Sequence, residues 1–168
     1  MKTAPIPSYE DARLCVIEDM GVIGTDDARF ARVTKAAIDR FCVPISTVSI
    51  IDADREWFAS AQGISKTEDS RATSFCGHAL LSPVMLVIED TLKDDRFKDN
   101  PHVTATPSVR FYAGKSLYER TRNLPVGVFC IKDYGPRVMS TKDIADFLAL
   151  AMAAEDLLNT LYPARPRV

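Results

Sequence analysis

The apolar residues change period twice along the chain, and that succession limits the folds open to it. Over residues 25–41, Phe30, Val33, Ala37, Ile38 and Phe41 recur at helical spacing. Over residues 45–52, β-branched residues crowd together as in a strand. Ala53-Asp54 follows as a short turn, and residues 56–62 read as the hairpin partner, ended at Gly63. The helical period returns after Ser140, which has Asp143 three residues on in the manner of a capping box. Its stripe is Ile144, Phe147, Leu148, Ala151, Ala154, Leu158 and Leu161, and Pro163 stops it. Helices at both ends of a hairpin-linked middle imply an α+β chain with a largely antiparallel sheet.

The remaining segments fill in this frame. Ser8, with Asp11 three residues on, opens a first helix that Gly21 and Gly24 interrupt. Thr25 is expected to cap the next helix, with Asp26 and Asp27 in its first turn, where the helix dipole favours negative charge. Residues 65–73 read as a polar loop, 74–81 as a short helix and 84–88 as an apolar strand. Residues 90–107 are polar and contain Pro101 and Pro107; loops of that length are often functional, and this one reads as a lid or a packed cover. Residues 109–113 and 116–120 read as extended with a bend at Gly114, and 126–132 as a further strand. Alternation puts Arg110 and Tyr112 on one face, and Val109, Phe111 and Ala113 on the other.

A chain of 168 residues fits one domain, here 1–168, with a core over about 25–160 and residues 1–24 as an N-terminal helical extension. The net charge of −2 contains no run of one sign, so the basic footprint of a nucleic-acid binder is missing. The cysteines at 15, 42, 76 and 130 form no CxxC pair, which points to reduced thiols, not a zinc knuckle. The first 25 residues lack the apolar region of a signal peptide, and no run reaches the roughly 20 residues that span a bilayer. A cytoplasmic protein without membrane contact is expected.

Several segments, taken in order, carry a resemblance. They are Ala4-Pro5-Ile6-Pro7 with Glu10 and Arg13-Leu14, Val43-Pro44-Ile45, and Arg55-Glu56-Trp57-Phe58. Sharper are Ser74-Phe75-Cys76-Gly77-His78-Ala79, Asp95-Arg96-Phe97 and Asn100-Pro101-His102-Val103. Pro107 to Gly114, Gly127-Val128-Phe129-Cys130-Ile131-Lys132-Asp133 and Pro136-Arg137 complete the set. Across residues 4–160 the chain resembles the GAF domains of bacterial signalling proteins. Lys115-Ser116-Leu117, Phe129 and Lys132 depart from the usual pattern near the expected pocket wall. The resemblance implies a central sheet of five to six strands, terminal helices on one face and a pocket under loops and short helices on the other. It also implies a sensory or regulatory module that binds a small molecule, a partner protein or both. Such domains usually precede histidine kinase or cyclic-di-GMP-forming domains, and no output domain is expected on this chain.

The candidate ligand-binding residues are Phe75, Cys76, His78, Arg96, Phe97, Asn100, Arg110, Tyr112, Cys130 and Asp133. Arginine's rigid fork of donors suits a carboxylate or phosphate. Arg96 and Arg110 can equally be held in ion pairs with Asp90, Asp94, Asp95 or Asp133. Cys76 and His78 lie about 200° apart on a helix, so they do not jointly hold a metal there. They read as a packed thiol and a hydrogen-bonded imidazole, with an iron ligand or an oxidant-sensing thiol as the alternatives. No cofactor, metal or covalent chromophore is expected. Trp57 reads as core or as a ligand platform. A free methionine sulfoxide reductase-like thiol enzyme and a dimerisation domain with a vestigial pocket are alternative functions, and catalysis is not expected. The breadth of the last helix's stripe, through Ala149, Met152, Ala153 and Leu157, predicts a homodimer through the terminal helices.

Overall fold

The computed structural model describes residues 1–25 and 27–164. Six strands form one sheet in the order β3-β2-β1-β6-β5-β4, and every neighbouring pair is antiparallel. They are β1 (Ile45–Ile51), β2 (Arg55–Gln62), β3 (Glu68–Ser70), β4 (Leu86–Ile88), β5 (Phe111–Glu119) and β6 (Leu124–Asp133). The three long helices are α1 (Glu10–Met20), α2 (Ala28–Phe41) and α5 (Thr141–Leu161). Two short helices, α3 (Phe75–Ala79) and α4 (Pro101–Thr104), lie in the covering segments.

Apolar spacing decides which face each helix buries. Phe30, Val33, Ala37 and Phe41 of α2 and Phe147, Ala151, Ala154 and Leu158 of α5 enter one core with Val48, Ile50, Trp57, Phe129 and Ile131 of the sheet. Val16, Ile17 and Met20 of α1 join the same core, and Trp57 is part of it. α5 begins with the expected capping box: Ser140 Oγ accepts from Asp143 N at 3.1 Å, and the Asp143 carboxylate accepts from Ser140 N at 3.0 Å.

A smaller core lies on the opposite face of the sheet, where Phe75, Cys76, Phe97, Val103 and Val109 meet Ile51, Tyr112, Val128 and Cys130. Along β6, Val128, Cys130 and Lys132 face this side while Phe129 and Ile131 face the long helices.

Local details differ from the sequence expectation. Asp27, not Thr25, is the N-cap of α2, accepting from Arg29 N, while the Thr25 hydroxyl donates to Val22 O at 2.7 Å. Asp26 lies outside the described residues. β5 runs through Gly114 without a bend, because Leu86 and Cys130 pair on either side of that residue and hold it in the ladder. Val109 lies on the Tyr112 side, not with Phe111: β5 starts only at Phe111, so strand alternation does not reach Val109. The expected loop at 65–73 contains β3 and a single 3-10 turn, Arg71–Thr73, and β4 starts at Leu86, not at 84. Segment 90–107 is a packed cover. Phe97, Asn100 and Val103 are buried in it, and it carries the 3-10 turn Thr91–Lys93 as well as α4.

Candidate functional site

A cavity of about 200 Å³ lies between the sheet and this cover. Ile45, Glu56, Phe58 and Lys132 form its sheet side. Ser74 and Phe75 of α3, with His102, Ala105, Pro107 and Val109 beyond, close the opposite side. Ile64, Lys66 and Asp69 come from the chain after β2. Strand register gathers the sheet residues. Ile45 and Tyr112 flank Lys132, Thr47 and Gly114 flank Cys130, and Glu56 lies opposite Ile51.

Beside the cavity a chain of buried polar groups crosses the sheet face. Glu56 accepts from Ser49 Oγ at 2.7 Å with one oxygen and from the Ser74 hydroxyl with the other. Ser74 Oγ also accepts from Gly77 N at 3.0 Å, which caps α3. Glu56 therefore fixes the start of α3 to β1 and β2. Thr47 Oγ1 lies 2.9 Å from Ser49 Oγ and 3.1 Å from Cys130 Sγ.

Lys132 differs from these groups. It is 8% exposed and lines the cavity, and among the described residues no hydrogen bond or ion pair reaches its ammonium. Burial disfavours its charge, yet Cys130 and Glu56 nearby outweigh that penalty and hold its pKa above the ordinary lysine value. His102 is pushed the other way, by burial and then by Lys132, so its imidazole is neutral at pH 7. The cavity is thus lined by an ammonium that Cys130 and Glu56 keep charged, beside a neutral imidazole, and walled by Phe58 and Phe75.

Of the residues singled out from sequence, Phe75 lines the cavity, and Cys76, Tyr112 and Cys130 pack against one another in the same small core. Phe97 stacks on Phe75 with centroids 4.7 Å apart, one layer further out. Asn100 accepts from His102 N at 2.9 Å and donates to Thr73 O at 2.9 Å, so it caps α4 and ties it to the turn before α3. The other four do not line the cavity. Arg96 pairs with Asp94 at 2.6 Å, Arg110 with Asp90 at 2.9 Å, and Asp133 with Arg137. His78 faces the N-terminal arm, its Nε2 3.1 Å from Lys2 O.

Glu56, Ser74, His102 and Lys132 were not among the candidate ligand-binding residues, although Lys132 stood out as a departure near the expected pocket wall. For Lys132 a sign was present: a lone charge in the apolar run Gly127 to Ile131, two residues after Cys130 and on its face.

The sheet order, the helices on one face and the covered cavity on the other define the GAF fold. No family model matches the sequence. The GAF domain of an Acinetobacter phosphoenolpyruvate-protein phosphotransferase superposes with a TM-score of 0.64 at 11% identity, covering 92% of this chain and 94% of that one. A free methionine-R-sulfoxide reductase from Neisseria meningitidis, solved in complex with its substrate, also gives 0.64, at 17% identity and over 98% and 100% of the two chains.

In sequence the chain is 35% identical, over 173 aligned positions, to a protein of Pseudomonas aeruginosa named a cyclic di-GMP phosphodiesterase. The alignment takes in 99% of this chain and 29% of that protein, so the chain spans under a third of its relative's length. These comparisons correct the expectation of a module apart from catalysis. The relative is named as an enzyme, and reductases are built on the same fold. Among the described residues no helix is long and apolar enough to cross a membrane.

Proposed function

We propose that the chain is a sensory domain that binds a small anion over Lys132, and that its occupancy governs a cyclic di-GMP phosphodiesterase activity. The carrying observation is that Lys132 lines the cavity with an ammonium that no side chain among the described residues hydrogen-bonds. An incoming carboxylate or oxyanion gives that ammonium the charge-assisted hydrogen bonds that the chain does not supply. The cavity has room for about seven waters, which suits a small metabolite. The phosphodiesterase link is supported by the Pseudomonas aeruginosa relative. Pairing of two copies through the terminal helices belongs to the same proposal.

The test is calorimetric titration of the protein with small carboxylates and inorganic oxyanions, repeated on Lys132→Met. Loss of the cation is expected to weaken binding by about 30-fold or more. Folding favours the charged form of Lys132, so the same substitution is expected to leave the melting temperature of the ligand-free protein level or somewhat lower. Equal affinity in the two proteins would refute the reading.

A further inference from the structure

Cys76 on α3 and Cys130 on β6 are both fully buried, in the same small core. Thr47 Oγ1 sits 3.1 Å from Cys130 Sγ, and the Tyr112 hydroxyl donates to Cys76 Sγ at 3.3 Å. Apart from burial, each thiol is the strongest influence on the other's ionisation. Neither thiol lines the cavity, but Phe75, next to Cys76 in the chain, and Lys132, two residues from Cys130 on the same face of β6, both do. The other two cysteines lie elsewhere: Cys42 is exposed at the end of α2, and Cys15 is half-buried on α1.

We propose that Cys76 and Cys130 form a reversible disulfide when the protein meets a hydroperoxide, which makes the layer beside the cavity an oxidant-responsive site. The inference does not depend on what the cavity binds.

The two thiols differ in a way that sets the order of events. Burial opposes ionisation of Cys130, but the neighbouring Cys76 thiol and the Lys132 ammonium outweigh it, so Cys130 ionises below the ordinary thiol value. Burial pushes Cys76 well above that value. The Cys130 thiolate attacks one peroxide oxygen, the O–O bond breaks, and the alkoxide or hydroxide that leaves takes up a proton. Cys130 becomes a sulfenic acid. Cys76 sulfur then attacks the Cys130 sulfur, the S–O bond breaks and, with the Cys76 proton, water departs. Two thiols are oxidised by two electrons, and one hydroperoxide is reduced to an alcohol or water. Hydrogen peroxide is small enough to enter a cavity with room for about seven waters.

The experiment treats the protein with hydrogen peroxide, blocks free thiols with an alkylating agent under denaturing conditions, and maps tryptic peptides by mass spectrometry. The expected result is a crosslink between peptides 72–93 and 123–132, cleaved by dithiothreitol, with Cys15 and Cys42 outside it. In Cys76→Ser the sulfenic acid of Cys130 is expected to persist and to be trapped by dimedone. If both cysteines remain alkylatable under conditions that oxidise Cys42, or if the crosslinks run only through Cys15 or Cys42, the proposal falls. The wild-type mapping decides it even if the serine variant does not fold.

Discussion

Gly114 shows how one missing side chain shapes the site. A Cβ there would collide with the Tyr112 ring, whose hydroxyl reaches across to Cys76. The ring also stacks on Phe75 at 5.2 Å, so Gly114 lets Tyr112 fill the space between β5 and α3. Gly114→Ala is expected to push the ring outward and destabilise the protein by about 1–3 kcal/mol, the usual range for overpacking a core. Urea unfolding checks this, and an unchanged midpoint would show that Tyr112 has another place to go. At this scale the sequence was a poor guide to the site. Arg96 and Arg110 looked like anion ligands, but each had an aspartate within reach, Asp94 two residues away and Asp90 across a loop. Lys132 makes no such ion pair: Asp133 beside it in the chain is taken by Arg137, and both oxygens of Glu56 are held by hydroxyls. What separates these cations is whether a carboxylate is placed to meet them, and only the tertiary structure shows that.

Among the elements, α1 and the start of α3 are joined by a buried triad. Glu10 accepts from Arg13 Nε at 3.0 Å and Nη2 at 2.6 Å, and from Arg71 Nη2 at 3.2 Å. Arg71 Nη1 also donates to Asp52 O at 2.9 Å, which brings in the β1–β2 turn. Burial alone would raise the Glu10 carboxyl, but the two guanidiniums outweigh it and hold its pKa at about 2, against an ordinary 4.5. A lowered folded-state pKa gives stability that is fully present above the unfolded value and lost as pH falls through the folded one. The triad should therefore stabilise the protein above pH 4.5 and lose that contribution as pH falls from 4.5 towards 2. Allowing for solvent screening, it is worth about 2 kcal/mol. Glu10→Gln leaves two buried guanidiniums uncompensated, at a cost of about 3 kcal/mol at neutral pH. Denaturation across this acid range should show the variant losing less stability than the wild type. Parallel curves would mean that Glu10 does not carry the acid sensitivity. The elements themselves were legible beforehand, because the α2 and α5 stripes and the Ser140 capping box depend only on near neighbours in sequence. Asp27 as the α2 cap and β3 were not, since a cap turns on backbone angles and a three-residue strand on the β2 edge it joins.

In the whole molecule the cavity and the long helices occupy opposite faces of one sheet. α5 keeps Ala149, Met152 and Ala153 exposed beside the half-buried Leu148 and Leu157, an apolar face that the sheet does not use. Sedimentation at micromolar concentration is expected to show a dimer, and Met152→Glu is expected to shift it towards monomer. A wild-type mass of 18.6 kDa would mean that this face stays in water. α5 is also held to the sheet by polar contacts at its far end. Glu155 accepts from Tyr118 N at 2.9 Å, and Asn159 donates to Tyr118 O at 2.8 Å, so the helix shields main-chain groups at the end of β5. The sequence foretold the order of layers, but not that these two side chains would stand in for a missing strand. Ile131 and Lys132 are consecutive residues of β6, one packed among the long helices and the other lining the cavity. A tug on one is felt by the other through a single peptide unit, as two people on either side of a thin wall feel one nail. Whatever docks on the cation needs no relay of side chains to be noticed on the far side.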